Sequence, residues 1–124
     1  MHPTVSAVVT TYNQASYIVA TLESVLGQTY PPYEVIVVDD GSTDETPERI
    51  GRFGERVRYI RQANQGVAAS RNTGVAHARG DYIALLDGDD LWEPEKLAVQ
   101  ITAAHDFPQS GLIVANGVEF DDSG

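Results

Sequence analysis

Three aspartates lie within four residues in the segment LLDGDD, which ends at Asp90. Asp87, Asp89 and Asp90 carry like charges that repel one another, so a folded chain gains little by crowding them unless they hold something. Carboxylate clusters of this kind are typical ligands of hard divalent cations. The glycine inside the D-x-D of Asp87 and Asp89 allows a tight backbone turn. We therefore expect Asp87 and Asp89 to hold Mg²⁺ or Mn²⁺, which usually completes its shell with water and substrate phosphate.

The charge and the cysteine content restrict the class of partner. Eighteen acidic residues against eight basic residues give a net charge of −10 at pH 7, which argues against sequence-independent binding to nucleic acid or anionic lipid. The sequence has no cysteine, so neither a disulfide framework nor a thiolate metal site is available. So acidic a protein would repel a bare diphosphate. We therefore expect a substrate diphosphate that a divalent cation bridges to the carboxylates.

Length and composition fit one folded domain. The chain has 124 residues, of which 42% are apolar, enough for one compact core and too many for a disordered chain. No apolar run approaches the length of a membrane span, and the first residues lack a signal-peptide pattern. We expect a single domain over residues 1–124 in a soluble, cytoplasmic protein, with membrane association of the full-length protein left open.

Two hydrophobic periodicities alternate along the chain. Apolar runs of strand length are VSAVVTTY, YEVIVVDD, RVRYIR, DYIALLD and GLIVANGVEF. Between them, ASYIVATLESVLGQ, STDETPERIGRF, GVAASRNTGVAHAR and EPEKLAVQITAAHD have helical spacing. Ser42 and Glu45 match a capping box for the second helix, with Pro47 in its first turn. The alternation predicts an α/β fold in three layers, with helices on both faces of a mainly parallel sheet.

Polar side chains follow three of the predicted strands. In an α/β sheet, ligands bind beyond the carboxyl ends of the strands, at the point where the winding reverses. The strand ends therefore predict one rim that brings together side chains far apart in sequence, namely Thr10, Thr11 and Tyr12, then Asp39 and Asp40, then Asp87, Asp89 and Asp90.

Each polar cluster also has a purely structural explanation. DDGSTD is typical of an Asp-Gly turn that leads into a helix cap. DGDD fits a strand-to-helix turn with Asp90 near the start of the next helix, which accounts for one of three carboxylates. Arg71 fits a solvated helix residue. When the clusters are considered jointly, these explanations become less convincing, because the acidic residues fall at strand ends, where the fold predicts a site.

Other phosphate chemistries fit the sequence less well. It has no G-x-x-x-x-G-K-[ST] loop and no G-x-G-x-x-G after the first strand. As an EF-hand loop starting at Asp40, it lacks glycine at the sixth position and glutamate at the twelfth. DGDD is similar to the aspartate pair of haloacid-dehalogenase-type phosphatases, which follows the first strand there and the fourth strand here. A phosphatase with Asp87 as nucleophile stays open as a third hypothesis.

Four ordered segments carry a family resemblance: VVTTYNQASYIVATLESVLGQTY, YEVIVVDDGSTDET, NQGVAASRNTG and GDYIALLDGDD. From Val5 to about Gln100, the chain resembles the nucleotide-binding half of a GT-A glycosyltransferase of family 2. The resemblance implies a Rossmann-like GT-A fold and a nucleotide-diphosphate-sugar donor, usually a UDP-sugar. It also implies a saccharide or lipid-linked acceptor and a metal-dependent, inverting transfer.

The same resemblance implies roles around the nucleoside. Thr10 and Tyr12 would line the nucleoside pocket together with Thr11, and the ring of Tyr12 would pack against the base. Asp40 would accept a hydrogen bond from the base, and Asp39 would lie beside it.

It implies further roles around the diphosphate. Asp89 would ligate the metal, and Asp87 would approach the ribose or a metal-bound water. Asp90 would lie behind the metal ligands or cap the following helix. Arg71 in ASRNTG matches the arginine of the family's A-R-N-x-G, with Ser70 where alanine is more usual. Its charge would face the donor phosphates or pair with one of the site acids.

The catalytic base is expected elsewhere. In the family it lies well downstream of the D-x-D, and Asp121 and Asp122 come too early to match it. We therefore expect a chain truncated before the acceptor-binding region, with an apolar face that promotes self-association. Two main hypotheses follow. The chain is part of a working glycosyltransferase, or it is a nucleotide-sugar binding module without catalysis.

Overall fold

The computed structural model of the chain describes residues 3–106, with side chains up to residue 103. The strands are β1 (Val5–Thr11), β2 (Glu34–Asp39), β3 (Arg58–Arg61) and β4 (Tyr82–Asp87). The α-helices are α1 (Ile18–Leu26), α2 (Thr46–Gly51), α3 (Val67–His77) and α4 (Lys96–Asp106), and a 3-10 turn spans Gly54–Arg56. Each element predicted within this part of the chain is present. The fifth predicted strand, GLIVANGVEF, lies outside the described residues.

The four strands form one parallel sheet in the order β3-β2-β1-β4. β1 is central, and all seven of its residues are buried, as expected when helices cover both faces of a parallel sheet. In the register of the sheet, Thr10 of β1 lies between Val38 of β2 and Asp87 of β4. The polar ends of three strands therefore meet at one edge.

Helices cover both faces of this sheet, which confirms the predicted three-layer α/β fold. Val9 of β1 belongs to a buried cluster with Leu22 of α1 and Leu97 of α4, and α2 contacts α1 on the same side. Val8 points to the other face, because side chains alternate along a strand. There α3 packs on β1 and β2. A Cβ atom at Gly74 of α3 would lie 2.2 Å from Cγ1 of Val8, so only glycine permits this close approach.

The predicted capping box of α2 is wrong. The helix begins at Thr46, and the residue before it, Glu45, makes no side-chain capping bond. Oδ1 of Asp44 instead accepts hydrogen bonds from the backbone nitrogen and the hydroxyl of Thr46, at 2.9 and 2.6 Å. The hydroxyl of Ser42 is used differently, since it accepts a bond from the backbone nitrogen of Asn13 at 2.8 Å. Ser42 thus ties the β2–α2 loop to the end of β1, while Pro47 lies in the first turn of α2 as predicted.

The helix that follows the acidic turn (residues 87–90) begins too late for Asp90 to be its N-terminal cap. α4 begins at Lys96, and its predicted inward residues Leu97 and Ile101 are buried. Asp90 instead closes a turn, with its backbone nitrogen 3.0 Å from the carbonyl of Asp87. The proposed role of Asp90 as a helix cap is therefore wrong.

Among residues 3–106, no helix has the length and apolar character needed to cross a membrane.

Candidate nucleotide-sugar and metal site

The winding of the sheet reverses between β1 and β4. β2 and β3 are added on one side of β1, whereas β4 pairs on the other, and ligands of α/β proteins bind at such a point. A cavity of about 320 Å³ opens there, within the usual size of small-molecule sites. Its lining comes from β1, β4, α3 and the loops that follow β1, β2 and β4, and comprises Thr10, Thr11, Tyr12, Gln14, Asp40, Val67, Ser70, Asp87 and Asp89.

The three carboxylates of the acidic turn can converge on one cation. Asp87, Asp89 and Asp90 each offer an oxygen, and these oxygens lie within 4.8 Å of one another. Mg²⁺ holds oxygen ligands at about 2.1 Å, so opposite ligands in its octahedral shell are about 4.2 Å apart. Adjacent ligands in that shell are only about 3.0 Å apart, so the three oxygens would have to move closer together to share one ion, with water or phosphate in the remaining positions. The oxygen-only donor set suits Mg²⁺ or Mn²⁺.

Without a cation, the crowding is unfavourable for Asp90. Burial, followed by the charges of Asp89 and Asp87, raises the pKa of Asp90, and the nearby charge of Lys96 offsets this only in part. The carboxylate of Asp89 is exposed and makes no hydrogen bond or ion pair with the described residues. A divalent cation would relieve the repulsion that these neighbours exert on one another.

Asp87 is held on one oxygen and open on the other. Its Oδ1 accepts hydrogen bonds from the hydroxyl of Thr10 at 3.2 Å and from Nη2 of Arg71 at 3.3 Å. Oδ2 has no partner among the described residues. Of the two roles expected for Arg71, the structure shows the pairing with a site acid.

The turn after Asp87 fits closely against the end of β1. The backbone nitrogen of Gly88 donates to the carbonyl of Thr10 at 2.8 Å. A Cβ atom at Gly88 would lie 2.5 Å from Oε1 of Gln14 and 2.8 Å from Cβ of Thr11. Since Thr11 is fixed within a strand, the glycine of the D-x-D is required for close approach as well as for the turn.

Asp40 lies in the cavity wall as an ionised acceptor. Its Oδ1 accepts hydrogen bonds from Gln62 and from the backbone of Gln65, and its Oδ2 accepts one from the backbone of Gly66, all between 2.8 and 2.9 Å. Burial acts to raise the pKa of Asp40, but these hydrogen bonds outweigh it and lower the pKa below its usual value. The residue therefore presents a negative charge whose Oδ2 retains capacity for a further donor.

Asp39 does not reach the cavity. Its side chain is fully buried and bonds to the hydroxyl of Tyr59 at 2.6 Å, to Nη1 of Arg61 at 3.1 Å and to the backbone nitrogen of Ser42 at 2.9 Å. Neighbouring residues of a strand point to opposite faces, so Asp40 and Asp39 have separate surroundings. Asp39 holds the end of β2 against β3.

Several residues of the site were not predicted from the sequence. Gln14 and Val67 line the cavity with Ser70, and the segment QANQG supplies the donors that hold Asp40. The sequence did contain a signal for that segment. It follows the third predicted strand, β3, and must therefore reach the same edge of the sheet as the other strand ends. The predicted rim drew on the first, second and fourth strands and omitted the third.

Comparison with known proteins assigns the family. The model of Glycosyl transferase family 2 matches residues 6–124. The chain belongs to glycosyl transferase family 2. An uncharacterized glycosyltransferase of Rickettsia prowazekii is 35% identical over 120 residues, which is 97% of this chain and 38% of that protein. An uncharacterized glycosyltransferase of Nostoc is 41% identical over 97 residues, which is 75% of this chain and 30% of that protein.

Solved structures confirm the GT-A fold of this family 2 chain. Residues 1–349 of TarS from S. aureus, in complex with UDP-GlcNAc, match with a TM-score of 0.74 and 29% identity, over 83% of this chain and 31% of that one. The mannosyltransferase PcManGT of Pyrobaculum calidifontis, in complex with GDP-Man and Mn²⁺, matches with a TM-score of 0.73 and 34% identity, over 79% and 31%.

The four proteins named above are longer than this family 2 chain, which covers 30% to 38% of their lengths. Membership of the family removes the ground for the third hypothesis, a phosphatase with Asp87 as nucleophile. Of the residues that the family resemblance singled out, the cavity lining includes Thr10, Thr11, Tyr12, Asp40, Asp87 and Asp89, and it does not include Asp39, Asp90 or Arg71. Asp121 and Asp122, the acids weighed as a base, lie outside the described residues.

Proposed function

We propose that this chain forms the donor-binding part of a metal-dependent, inverting glycosyltransferase that uses a UDP-sugar. The observation that carries the proposal is the cavity at the β1–β4 reversal. One wall of it contains the ionised carboxylate of Asp40, and another contains Asp87 and Asp89 from the acidic turn. An acceptor for a base and a cation site for a diphosphate thus share one small-molecule cavity.

The nucleoside would bind at the Asp40 side. The side chain of Tyr12 is 45% exposed and that of Val67 is 52% exposed, and both line the cavity, so each offers a surface on which a base can pack. In uridine, the uracil ring carries one N–H donor, which suits the remaining acceptor capacity of Asp40. The side chains of Thr10 and Thr11 would border the ribose.

The diphosphate would bind at the acidic turn through Mn²⁺ or Mg²⁺. Asp89 is the principal ligand in this proposal, with Asp87 beside it through its open Oδ2 and Asp90 close enough to contribute. When bound, the cation neutralises charge that develops on the leaving diphosphate. Arg71, whose Nη2 lies 3.3 Å from Oδ1 of Asp87, adds a positive charge beside the diphosphate that does not depend on the metal.

The transfer itself exchanges one bond for another. An acceptor hydroxyl oxygen bonds to the anomeric carbon from the face opposite the diphosphate, and the bond from that carbon to the diphosphate oxygen breaks. A carboxylate base takes the proton of the hydroxyl. We assign this base to none of the described residues, and the acceptor in this proposal is a saccharide or a lipid-linked acceptor.

Calorimetry with the purified chain tests this proposal. UDP, CDP, GDP and ADP would each be titrated in Mn²⁺ and in chelator. We expect binding of UDP in Mn²⁺ and its loss in chelator, with weaker binding of CDP and ADP, because their base rings carry no N–H donor for Asp40. Equal UDP affinity in chelator would overturn the metal bridge, and equal affinity for all four nucleotides would overturn the role of Asp40.

Release of UDP from a UDP-sugar separates the two remaining hypotheses. A non-catalytic binding module would use the same cavity and would bind UDP in the same metal-dependent way. The protein containing this chain at its full length should release UDP in the presence of an acceptor if it is a transferase. Binding without release over a broad acceptor panel would favour the binding module.

A further inference from the structure

A row of polar side chains, two of them buried and one half-buried, runs along α1 and faces the segment that follows β4. Thr21, Ser24 and Gln28 are spaced so that they lie on one side of the helix and its extension. Thr21 is fully buried and Gln28 is 4% exposed. Polar groups this deeply buried are retained where they make hydrogen bonds that the fold needs.

The two later residues of this row hold the backbone beyond the acidic turn. The hydroxyl of Ser24 accepts a bond from the backbone nitrogen of Trp92 at 3.2 Å. The amide of Gln28 donates to the carbonyl of Glu93 at 2.7 Å and accepts from the backbone nitrogen of Leu97 at 2.9 Å. The path from the turn to α4 is therefore set by α1.

Thr21 holds the acidic turn itself. Its hydroxyl lies 2.9 Å from the carbonyl oxygen of Gly88 and 2.7 Å from that of Asp90. A hydroxyl carries one proton, so the two carbonyls share one donor. The residue between them is Asp89. Thr21 thus sets the backbone direction on both sides of Asp89.

The side chain of Asp89 depends on that backbone more than the side chain of Asp87 does. Asp87 is held by Thr10 and Arg71, whereas the carboxylate of Asp89 has no partner among the described residues. Nothing but the peptide on either side then determines where its oxygens stand. Groups behind the ligands of a metal commonly set its affinity in this way.

We propose that Thr21 is a positioning residue for Asp89, and that its buried hydroxyl sets the affinity of the acidic turn for a divalent cation. This inference rests on the proposed function, because it assumes that Asp89 binds the metal. It extends that proposal to a residue that touches neither metal nor nucleotide and lies on a helix outside the cavity lining.

Titration of Mn²⁺ followed by electron paramagnetic resonance tests the inference on the purified chain. Thr21→Val keeps the shape of the side chain and removes the hydroxyl, while Thr21→Ser keeps the hydroxyl. We expect Thr21→Val to weaken Mn²⁺ binding by about tenfold, the lower end of the usual effect of such residues, and Thr21→Ser to remain close to wild type.

Ser6→Ala is the matched control for lost stability. Its hydroxyl is also buried and bonds to Glu34 at 2.6 Å and to the backbone nitrogen of Gly80 at 2.8 Å, at the opposite edge of the sheet. We expect Ser6→Ala to lower the unfolding temperature and to leave Mn²⁺ affinity unchanged. If Thr21→Val fails to fold, Thr21→Ala removes the same hydroxyl at a better helix former and is judged in the same way.

The outcomes separate the two proposals. Equal Mn²⁺ affinity in wild type and the hydroxyl-free variant overturns the positioning role alone. Absence of Mn²⁺ binding in wild type overturns the proposed metal site and this inference with it. A loss of affinity in Ser6→Ala as large as in Thr21→Val overturns the inference too, because general destabilisation would then account for the effect.

Discussion

Nη2 of Arg71 lies 3.3 Å from Oδ1 of Asp87, so α3 and the end of β4 are joined across the edge of the sheet. The two side chains are 36% and 37% exposed, and solvent screens a pair of this kind to about 1 kcal/mol of stability or less. The ion pair therefore contributes little to the stability of the fold, and its effect is on the charge of the site. Arg71 supplies positive charge beside the acidic turn before any cation arrives.

Arg71→Gln should move the affinities for metal and nucleotide in opposite directions. We expect Mn²⁺ alone to bind about two- to fivefold more tightly, because Asp87 loses a competing cation, a change of up to ~1 kcal/mol. UDP in saturating Mn²⁺ should bind more weakly, because a positive charge beside the diphosphate is lost. Titration followed by electron paramagnetic resonance measures the affinity for Mn²⁺, and calorimetry measures the affinity for UDP. Arg52→Gln, at an exposed position, is the control, and a shift of both affinities in one direction would contradict the assignment.

Asp89→Asn should remove metal binding without harming the fold. The side chain is exposed and makes no hydrogen bond with the described residues, so we expect the unfolding free energy to change by less than about 0.5 kcal/mol. Mn²⁺ affinity should fall by at least about tenfold. Glu55→Gln, an exposed acid in the 3-10 turn, serves as the control for a lost charge. Wild-type affinity in Asp89→Asn would show that Asp89 is not a ligand.

Gly88→Ala should displace the acidic turn. The added Cβ would meet Oε1 of Gln14 at 2.5 Å and Cβ of Thr11 at 2.8 Å. The glutamine can move away, but the strand residue cannot. We expect a loss of about 1–3 kcal/mol in urea unfolding, together with weaker Mn²⁺ binding. Gly51→Ala is the matched control, since a Cβ there meets nothing within 4 Å and alanine favours the helix. Unchanged Mn²⁺ affinity in Gly88→Ala would argue against the tight turn as part of the site.

Asp40→Asn should affect nucleotide more than metal. The asparagine amide would place N–H donors against the donors of Gln62, Gln65 or Gly66, which leaves buried groups unpaired at a cost of about 1–3 kcal/mol. Uridine binding should weaken because the charged acceptor for the base is lost, whereas Mn²⁺ binding should stay near wild type. Calorimetry with UDP and resonance titration with Mn²⁺ make the comparison. If uridine affinity did not change, Asp40 would not contact the base.

The same substitution should change how stability depends on pH. The pKa of Asp40 is lowered in the folded chain, because its hydrogen bonds outweigh the effect of burial. The stability gained from this shift is fully present above the pKa of the unfolded chain, about 3.9, and is lost as pH falls through the lower pKa of the folded state. Urea unfolding between about pH 5 and pH 2 should show the gap between wild type and Asp40→Asn shrinking towards acid. A gap that stays constant would contradict the shift.

Periodicity alone was enough to derive the fold class. The strand runs and helical stretches from β1 to α4 follow from the spacing of apolar residues, because each element must bury one face or both. The parallel α/β arrangement then places the strand ends at one edge, which is why the amino-acid sequence is sufficient to group Thr10, Asp40 and Asp87. The D-x-D and the four family segments added the chemistry, since these residue types recur with a nucleotide-sugar site.

Tertiary structure decided which neighbour each polar residue meets. Asp39 and Asp40 are adjacent in sequence, yet one is enclosed with Arg61 and the other lies in the cavity wall, because strand alternation sends them to opposite faces. Ser42 looked like a helix cap and instead bonds to Asn13, since that hydrogen bond depends on how the loop packs against β1.

The contacts behind the acidic turn were equally inaccessible from sequence. Thr21 has the pattern of an ordinary polar residue of an amphipathic helix, and its partners Gly88 and Asp90 lie more than sixty positions further along the chain. Local pattern indicates which residues are buried and which carry charge. Only the packing of α1 against the segment after β4 determines that a hydroxyl stands behind Asp89, because hydrogen bonds between distant segments form only where the layers meet.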